Sequence, residues 1–176
     1  MKKITFILFA LITGTTFAQD PSATASASAG VVTALTIQQE TDLYFGSMTG
    51  AAANTGQTIE IPFDGAAIVN SGVTFTGGAA LETDSAPHRA TFKVNASKDV
   101  LFNVTIPSSN LTLINANATA GASPWTVSTW TGPVAGSTAG DGTTDVTIGV
   151  GATLTTGDTM DEGLYTADFD VTVAYQ

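Results

Sequence analysis

The chain has 176 residues, no cysteine, a single histidine and 15 acidic against 5 basic side chains, for a formal charge of −10. These numbers exclude disulfides, thiolate zinc sites and thiol catalysis, leave little material for acid–base chemistry, and make nucleic acid and anionic lipid unfavourable partners. With 43% hydrophobic residues the chain is still apolar enough to bury a core, of a size that suits one domain.

Met1-Lys2-Lys3 is a basic start, and Ile4–Ile12 is an apolar run too short to cross a hydrocarbon core of about 30 Å. Thr16-Phe17-Ala18 then places small residues at −3 and −1 of a cleavage site, so residues 1–18 are predicted to be a cleaved signal peptide. Loss of Lys2 and Lys3 with that leader takes the charge to −12. No cysteine follows to carry a lipid anchor, and no later apolar stretch is long enough to span a membrane as a helix.

Residues 19–40 are predicted to be an N-terminal extension running into a first strand, and 41–176 a single β domain. In the extension Ala23, Ala25, Ala27, Ala29, Val31, Thr33, Leu35 and Ile37 share one face, with Ser22, Thr24, Ser26 and Ser28 opposite. Fully extended, Ala23–Ile37 would reach about 50 Å, against about 17–20 Å for an ordinary strand. One strand of its own sheet uses only part of it. The Ala/Ser half is then either a tail or a strand for another sheet.

Period-two alternation continues through Leu43–Phe45, Gln57–Pro62, Ala67–Thr76, Arg89–Asn95, Val100–Ile106, Leu111–Ile114, Trp125–Thr131 and Asp145–Val150. Turn residues separate these runs, as in Asn70-Ser71-Gly72, Gly77-Gly78 and Gly140-Asp141-Gly142. Residues 116–124 and 132–143 read as loops. The last stretch is the clearest strand: Tyr165, Ala167, Phe169, Val171, Val173 and Tyr175 on one face, polar residues on the other. Many short strands without an amphipathic helix predict an all-β, antiparallel sandwich or barrel.

Catalytic material is scarce. His88 has Ser85 and Asp84 beside it, but three sequence neighbours do not make triad geometry, and Ala86–Arg89 reads as an exposed turn. There is no G-x-S-x-G, H-E-x-x-H or P-loop, and Gly149-Val150-Gly151 reads as a strand turn. No catalytic residue, cofactor or metal ligand is therefore assigned. Asp158, Asp161 and Glu162, and Asp141 with Asp145, lack the spacing of a calcium loop and read as solvated acidic turns. Trp125 and Trp130 are five positions apart, so on one regular strand they face opposite ways, leaving one available to stack on a sugar ring. Tyr44, Phe45, Phe92, Phe102, Tyr165 and Phe169 read as core.

Gly163, the fourteenth residue from the end, the alternating strand after it and the penultimate Tyr175 resemble the C-terminal signature of pilin subunits assembled by the chaperone–usher route. The whole chain resembles spore-coat-U-type secreted proteins, and still more the exported bacterial family called domain of unknown function 4402. That resemblance rests on Leu43-Tyr44-Phe45-Gly46, Ala90-Thr91-Phe92-Lys93-Val94, Ile148–Leu154 and Gly163–Val173. It implies an immunoglobulin-like, pilin-like β-sandwich exported to the periplasm, outer surface or medium of a Gram-negative bacterium. It also implies a fibre or coat subunit whose partners are itself or other subunits, with a periplasmic chaperone and usher. The donor-strand-like face would be Ala25, Ala27, Ala29 and Val31, and the chaperone-facing strand Gly163, Phe169, Val171, Val173 and Tyr175. The alternative expectation is a self-complete secreted module that binds carbohydrate or a surface through Trp125 or Trp130.

Overall fold

A computed structural model describes residues 21–49, 55–74, 86–117, 123–134, 138–140, 142, 145–158 and 161–176. The leader, Gly77-Gly78, Asp84, Ser85 and Asp141 lie outside the described residues. The chain divides into two compact units, Met1–Val31 and Val32–Gln176. In the first, residues 21–31 join no ladder and are exposed throughout.

The second unit is all-β, with no helix among the described residues. Its strands are β1 (Thr36–Thr41), β2 (Thr58–Ile61), β3 (Val69–Asn70), β4 (Ala90–Asn95), β5 (Leu101–Thr105), β6 (Leu111–Asn115), β7 (Trp125–Thr131), β8 (Thr138–Ala139), β9 (Val146–Thr155), β10 (Tyr165–Thr166) and β11 (Thr172–Tyr175). A large curled sheet runs β1-β4-β9-β7-β6-β10, with β2 joined to β9 and β3 to β2. A second sheet runs β11-β5-β8. Every ladder in both is antiparallel. The arrangement is sandwich-like, and it follows from strands rich in Val, Ile, Thr and aromatics whose alternate residues can be buried.

Strand β9 organises the molecule. Its first half, Val146–Val150, pairs with β4. Its second half carries β2 on one side and β7 on the other. Two apolar clusters meet along it. Ala152 and Leu154 join Ile59, Ile61, Leu113, Trp125 and Val127 in one, while Ile148 and Val150 join Ala90, Phe92, Val94 and Phe102 in the other. These four β9 side chains are at most 3% exposed.

In the middle of β9 the opposite face is buried too, and there it has Gly149 and Gly151. A Cβ on Gly149 would lie 2.0 Å from the Phe63 carbonyl oxygen, and one on Gly151 2.0 Å from that of Ile61. The segment leaving β2 crosses directly over the strand, at a distance only a glycine backbone allows. Gly149-Val150-Gly151 is thus the middle of a long strand, and the expectation of a turn there is corrected.

Other expectations shift in the same way. Leu43–Phe45 contributes a single bridge, Tyr44 to His88, instead of a ladder. That bridge (N–O distances 2.9 and 2.8 Å) makes His88 half-buried and paired, where an exposed turn was expected. Within the described part of Ala67–Thr76, residues 67–74, only Val69–Asn70 is strand. The single C-terminal strand is two, β10 and β11, separated by Ala167–Val171.

Replacing Gly149 or Gly151 with Ala is expected to cost about 3 kcal/mol, because neither strand can move without disturbing a core. Gly30→Ala, with nothing within 4 Å of its added Cβ, is expected to change stability by less than about 0.5 kcal/mol. Urea unfolding of the three variants checks the contrast.

Candidate interaction groove

The two sheets are tied together at one edge by their own ends. The Thr33 N–H donates to the Ser97 hydroxyl, the Ser97 N–H donates to the Tyr175 hydroxyl (2.7 Å), and that hydroxyl donates to the Thr33 carbonyl (2.9 Å). This ring of three bonds fixes the entry to β1 against the end of β11. Sequence reasoning assigned Tyr175 to partner contact and missed the ring, since nothing in spacing joins residues 33, 97 and 175.

Elsewhere the two chain segments diverge, and an open groove of about 1300 Å³ lies between them. One wall is Gln39–Met48 and the other Asp161–Phe169; Phe92, Leu111, Leu113, Val127 and the two tryptophans are at the floor. The tryptophans do not face opposite ways. β7 slips register between Ser128 and Thr131, with Thr129 at a φ of 50°, and this bulge inverts the alternation so that Trp130 joins Trp125 at the groove. Thr129 carries no residue-type signal for a bulge.

Aromatic pairs line the groove. Trp125 stacks on Tyr165 (4.0 Å between centroids, 12°), Trp130 tilts against Phe169 (4.9 Å, 48°), and Tyr44 meets His88 (5.7 Å). The Trp130 indole N–H donates to the Ser109 carbonyl at 2.9 Å. Trp125 is 7% exposed, and its indole N–H is buried without an acceptor among the described residues. A buried donor left unmet is costly, so it marks a place where an acceptor would be welcome.

The second wall holds the main unsatisfied feature. Ala167, Phe169 and Val171 are half-buried, Ala167 on the first apolar cluster and Phe169 and Val171 on the second. Asp168 and Asp170 are exposed. Yet residues 167–171 form no backbone hydrogen bond among the described residues, although ladders hold the chain on both sides of them. β1 and β11 are both end strands of their sheets.

The other predicted residues fall as follows. Val173 and Tyr175 pack on the second cluster from β11, which pairs with β5. Gly163 has a φ of 141°, and a Cβ there would lie 2.5 Å from the Asn115 side chain, which donates to the Glu162 carbonyl; its role is a tight turn into β10. Ala25, Ala27, Ala29 and Val31 are all exposed in the first unit. Phe45, Phe92 and Phe102 are buried as expected, whereas Tyr44, Tyr165 and Phe169 are half-buried.

Charge on the walls has one sign. Glu40, Asp42, Asp161, Glu162 and Asp168 stand along them, with no lysine or arginine among the described lining residues. Glu40 is 2.6 Å from the Lys93 ammonium, and that hydrogen bond and charge hold Lys93 above its usual range. Asp42 accepts from the Gln39 amide. No three described carboxylate or imidazole side chains are placed to hold a metal ion.

A family model described as Domain of unknown function (DUF4402) matches residues 35–175. The chain belongs to that family. No curated protein and no solved structure matches it.

Tyr175→Phe removes two bonds of the ring and leaves the buried Ser97 N–H unmet, which is expected to cost about 1–2 kcal/mol. Thermal unfolding should fall by about 3–6 °C, with faster hydrogen exchange at the Ser97 amide.

Proposed function

We propose that this is a non-enzymatic, exported structural protein of the Gram-negative cell surface, a pilin-like subunit of a fibre or coat that assembles by β-strand pairing. The observation that carries this reading is the run Ala167–Val171 beside the groove, whose alternate side chains Ala167, Phe169 and Val171 are packed while its main chain forms no hydrogen bond among the described residues. Such a run accepts a further strand: main-chain bonds supply affinity, and alternate side chains enter the groove. The immunoglobulin-like topology, cleavage of residues 1–18 and a periplasmic chaperone and usher as partners belong to the same proposal. β11 at the end of its sheet is where a chaperone strand would add.

A second reading is a secreted module that binds glycan, favoured by the stacked Trp125–Tyr165 pair and by Trp130 in a groove of sugar-chain size. Under it, Trp125→Ala or Trp130→Ala abolishes signal on a glycan array; a strand-pairing subunit shows no tryptophan-dependent signal.

The primary test is an SDS gel of surface-extracted protein, run with and without boiling. A ladder of multiples that collapses on boiling is expected, and a single monomer band in both lanes would sink the reading. Val171→Asp should abolish both ladder and surface display. Because Val171 packs on the core, the Asp168→Pro/Asp170→Pro pair is the companion variant: these side chains are exposed and their N–H groups unbonded. The monomer should keep its stability within about 1 kcal/mol while the ladder is lost.

A further inference from the structure

We propose that the groove takes an amino-sugar oligosaccharide, a chain of glucosamine-type units whose amines are protonated. This rests on the glycan-binding reading above and names its ligand class; it does not depend on strand pairing.

The walls and floor offer three kinds of contact together. The first is ring surface. Tyr44, Trp130, Tyr165 and Phe169 line the groove and are half-buried, so part of each ring is at the surface. The Trp130 indole N–H is fixed on the Ser109 carbonyl and its ring tilts against Phe169, while Tyr165 has Trp125 stacked on one face at 4.0 Å. Rings held in this way need little further ordering when a ligand arrives, and a flat apolar ring matches the C–H face of a pyranose.

Negative charge is the second. Asp42, Glu162 and Asp168 are exposed on the walls and form no salt bridge among the described residues, whereas Glu40 has Lys93 at 2.6 Å. Their placing favours a ligand with repeated charge. Glu162 and Asp168 are six positions apart on one wall, about 20 Å of extended chain, and Asp42 stands on the facing wall. A single ammonium reaches one of these positions, and a cation on every unit of a chain reaches several. An acidic glycan is repelled by the same walls.

The third is main-chain polarity. Ala167, Asp168 and Phe169 line the groove, and their N–H and C=O groups form no hydrogen bond among the described residues. Thr166 beside them adds an exposed hydroxyl. These groups pair with sugar hydroxyls, directly or through water.

Taken together the three select among ligands. A polyamine uses the carboxylates and leaves the ring faces uncovered. A neutral glycan uses the rings and the main chain and gains nothing from the carboxylates. An amino-sugar chain uses all three. The groove, at about 1300 Å³, also exceeds the usual range of about 300–1,000 Å³ for a drug-sized ligand, which suits an oligomer of several units.

The test follows tryptophan emission and binding heat of the full chain as a fully deacetylated glucosamine hexamer is added. At about pH 5.5 the carboxylates are ionised and the amines protonated. The N-acetylated hexamer, which has the same rings and no charge, is the comparator. The deacetylated hexamer should bind at least about ten-fold tighter, and the gap should narrow between about 0.02 and about 0.2 M salt. Glu162→Gln combined with Asp168→Asn, both at exposed positions, should weaken the deacetylated hexamer about three- to ten-fold and leave the acetylated one unchanged. Glu60→Gln, at an exposed carboxylate of β2 outside the groove, should change neither. Trp130→Phe keeps a ring and leaves Trp125 as the one tryptophan, so it should still bind while most of the emission change disappears.

Three results would overturn the assignment. Equal affinity for the two hexamers leaves a neutral glycan as the ligand. Pentalysine binding as tightly as the deacetylated hexamer makes the groove a site for a basic peptide. A loss in Glu60→Gln equal to that of the wall variant reduces the effect to net charge. Failure of the glycan reading itself looks different: neither hexamer gives heat or an emission change at millimolar concentration. Strand pairing is decided separately, by the gel ladder.

Discussion

The passage of the Ile61–Phe63 main chain across Gly149 and Gly151 of β9 is the constraint on which the rest of the structure depends. It lets the middle of one ten-residue strand be buried on both faces while the strand serves two apolar clusters in succession. Side chains on the even positions fill the cores, and the bare backbone of Gly149 and Gly151 on the other face admits the crossing segment. Because β9 occupies the middle of the large sheet, with β4, β2 and β7 around it, the unsatisfied edges are displaced to the periphery. β1 and β10 end the main path of that sheet, β3 ends its branch, and β11 and β8 end the second sheet.

At that periphery the molecule separates two requirements that sheets usually meet together. Ala167, Phe169 and Val171 are packed on the cores, so the run is held in place by apolar contact. Its main chain forms no hydrogen bond among the described residues, which is what the proposed strand pairing would use. Asp168 and Asp170 are exposed on the same run and, under the proposed strand pairing, would disfavour an acidic partner chain. The Thr33–Ser97–Tyr175 ring closes the sheets at one edge, so the opening is confined to the stretch between Gln39–Met48 and Asp161–Phe169.

Much of the β content was readable from residue order. Arg89–Asn95, Val100–Ile106, Leu111–Ile114 and Trp125–Thr131 each coincide with a strand within a residue or two, because one buried face imposes a period of two. The same rule misled at the C-terminus. Tyr165–Tyr175 keeps its alternation of half-buried and exposed side chains without interruption, yet the ladder breaks in the middle. Burial sets the alternation, whereas a ladder needs a neighbouring strand in register, and the sequence of one strand says nothing about its neighbour. His88 and the two tryptophans show the same limit. A bridge to Tyr44 and a bulge at Thr129 moved them from where spacing alone puts them.

What the sequence determined by itself is the all-β class, the absence of thiol chemistry, the acidic surface and the uncharged, over-long segment from Pro21 to Gln39, since composition and a period of two act residue by residue. Family membership over residues 35–175 is likewise legible in the sequence alone. Only the tertiary structure decided that β9 spans two cores, that Tyr175 binds Thr33 and Ser97, and that residues 167–171 pack without pairing. Each depends on segments far apart in the chain meeting at a few ångströms, and such meetings are fixed by sheet order and by where glycine permits close approach, not by the local pattern of any one strand.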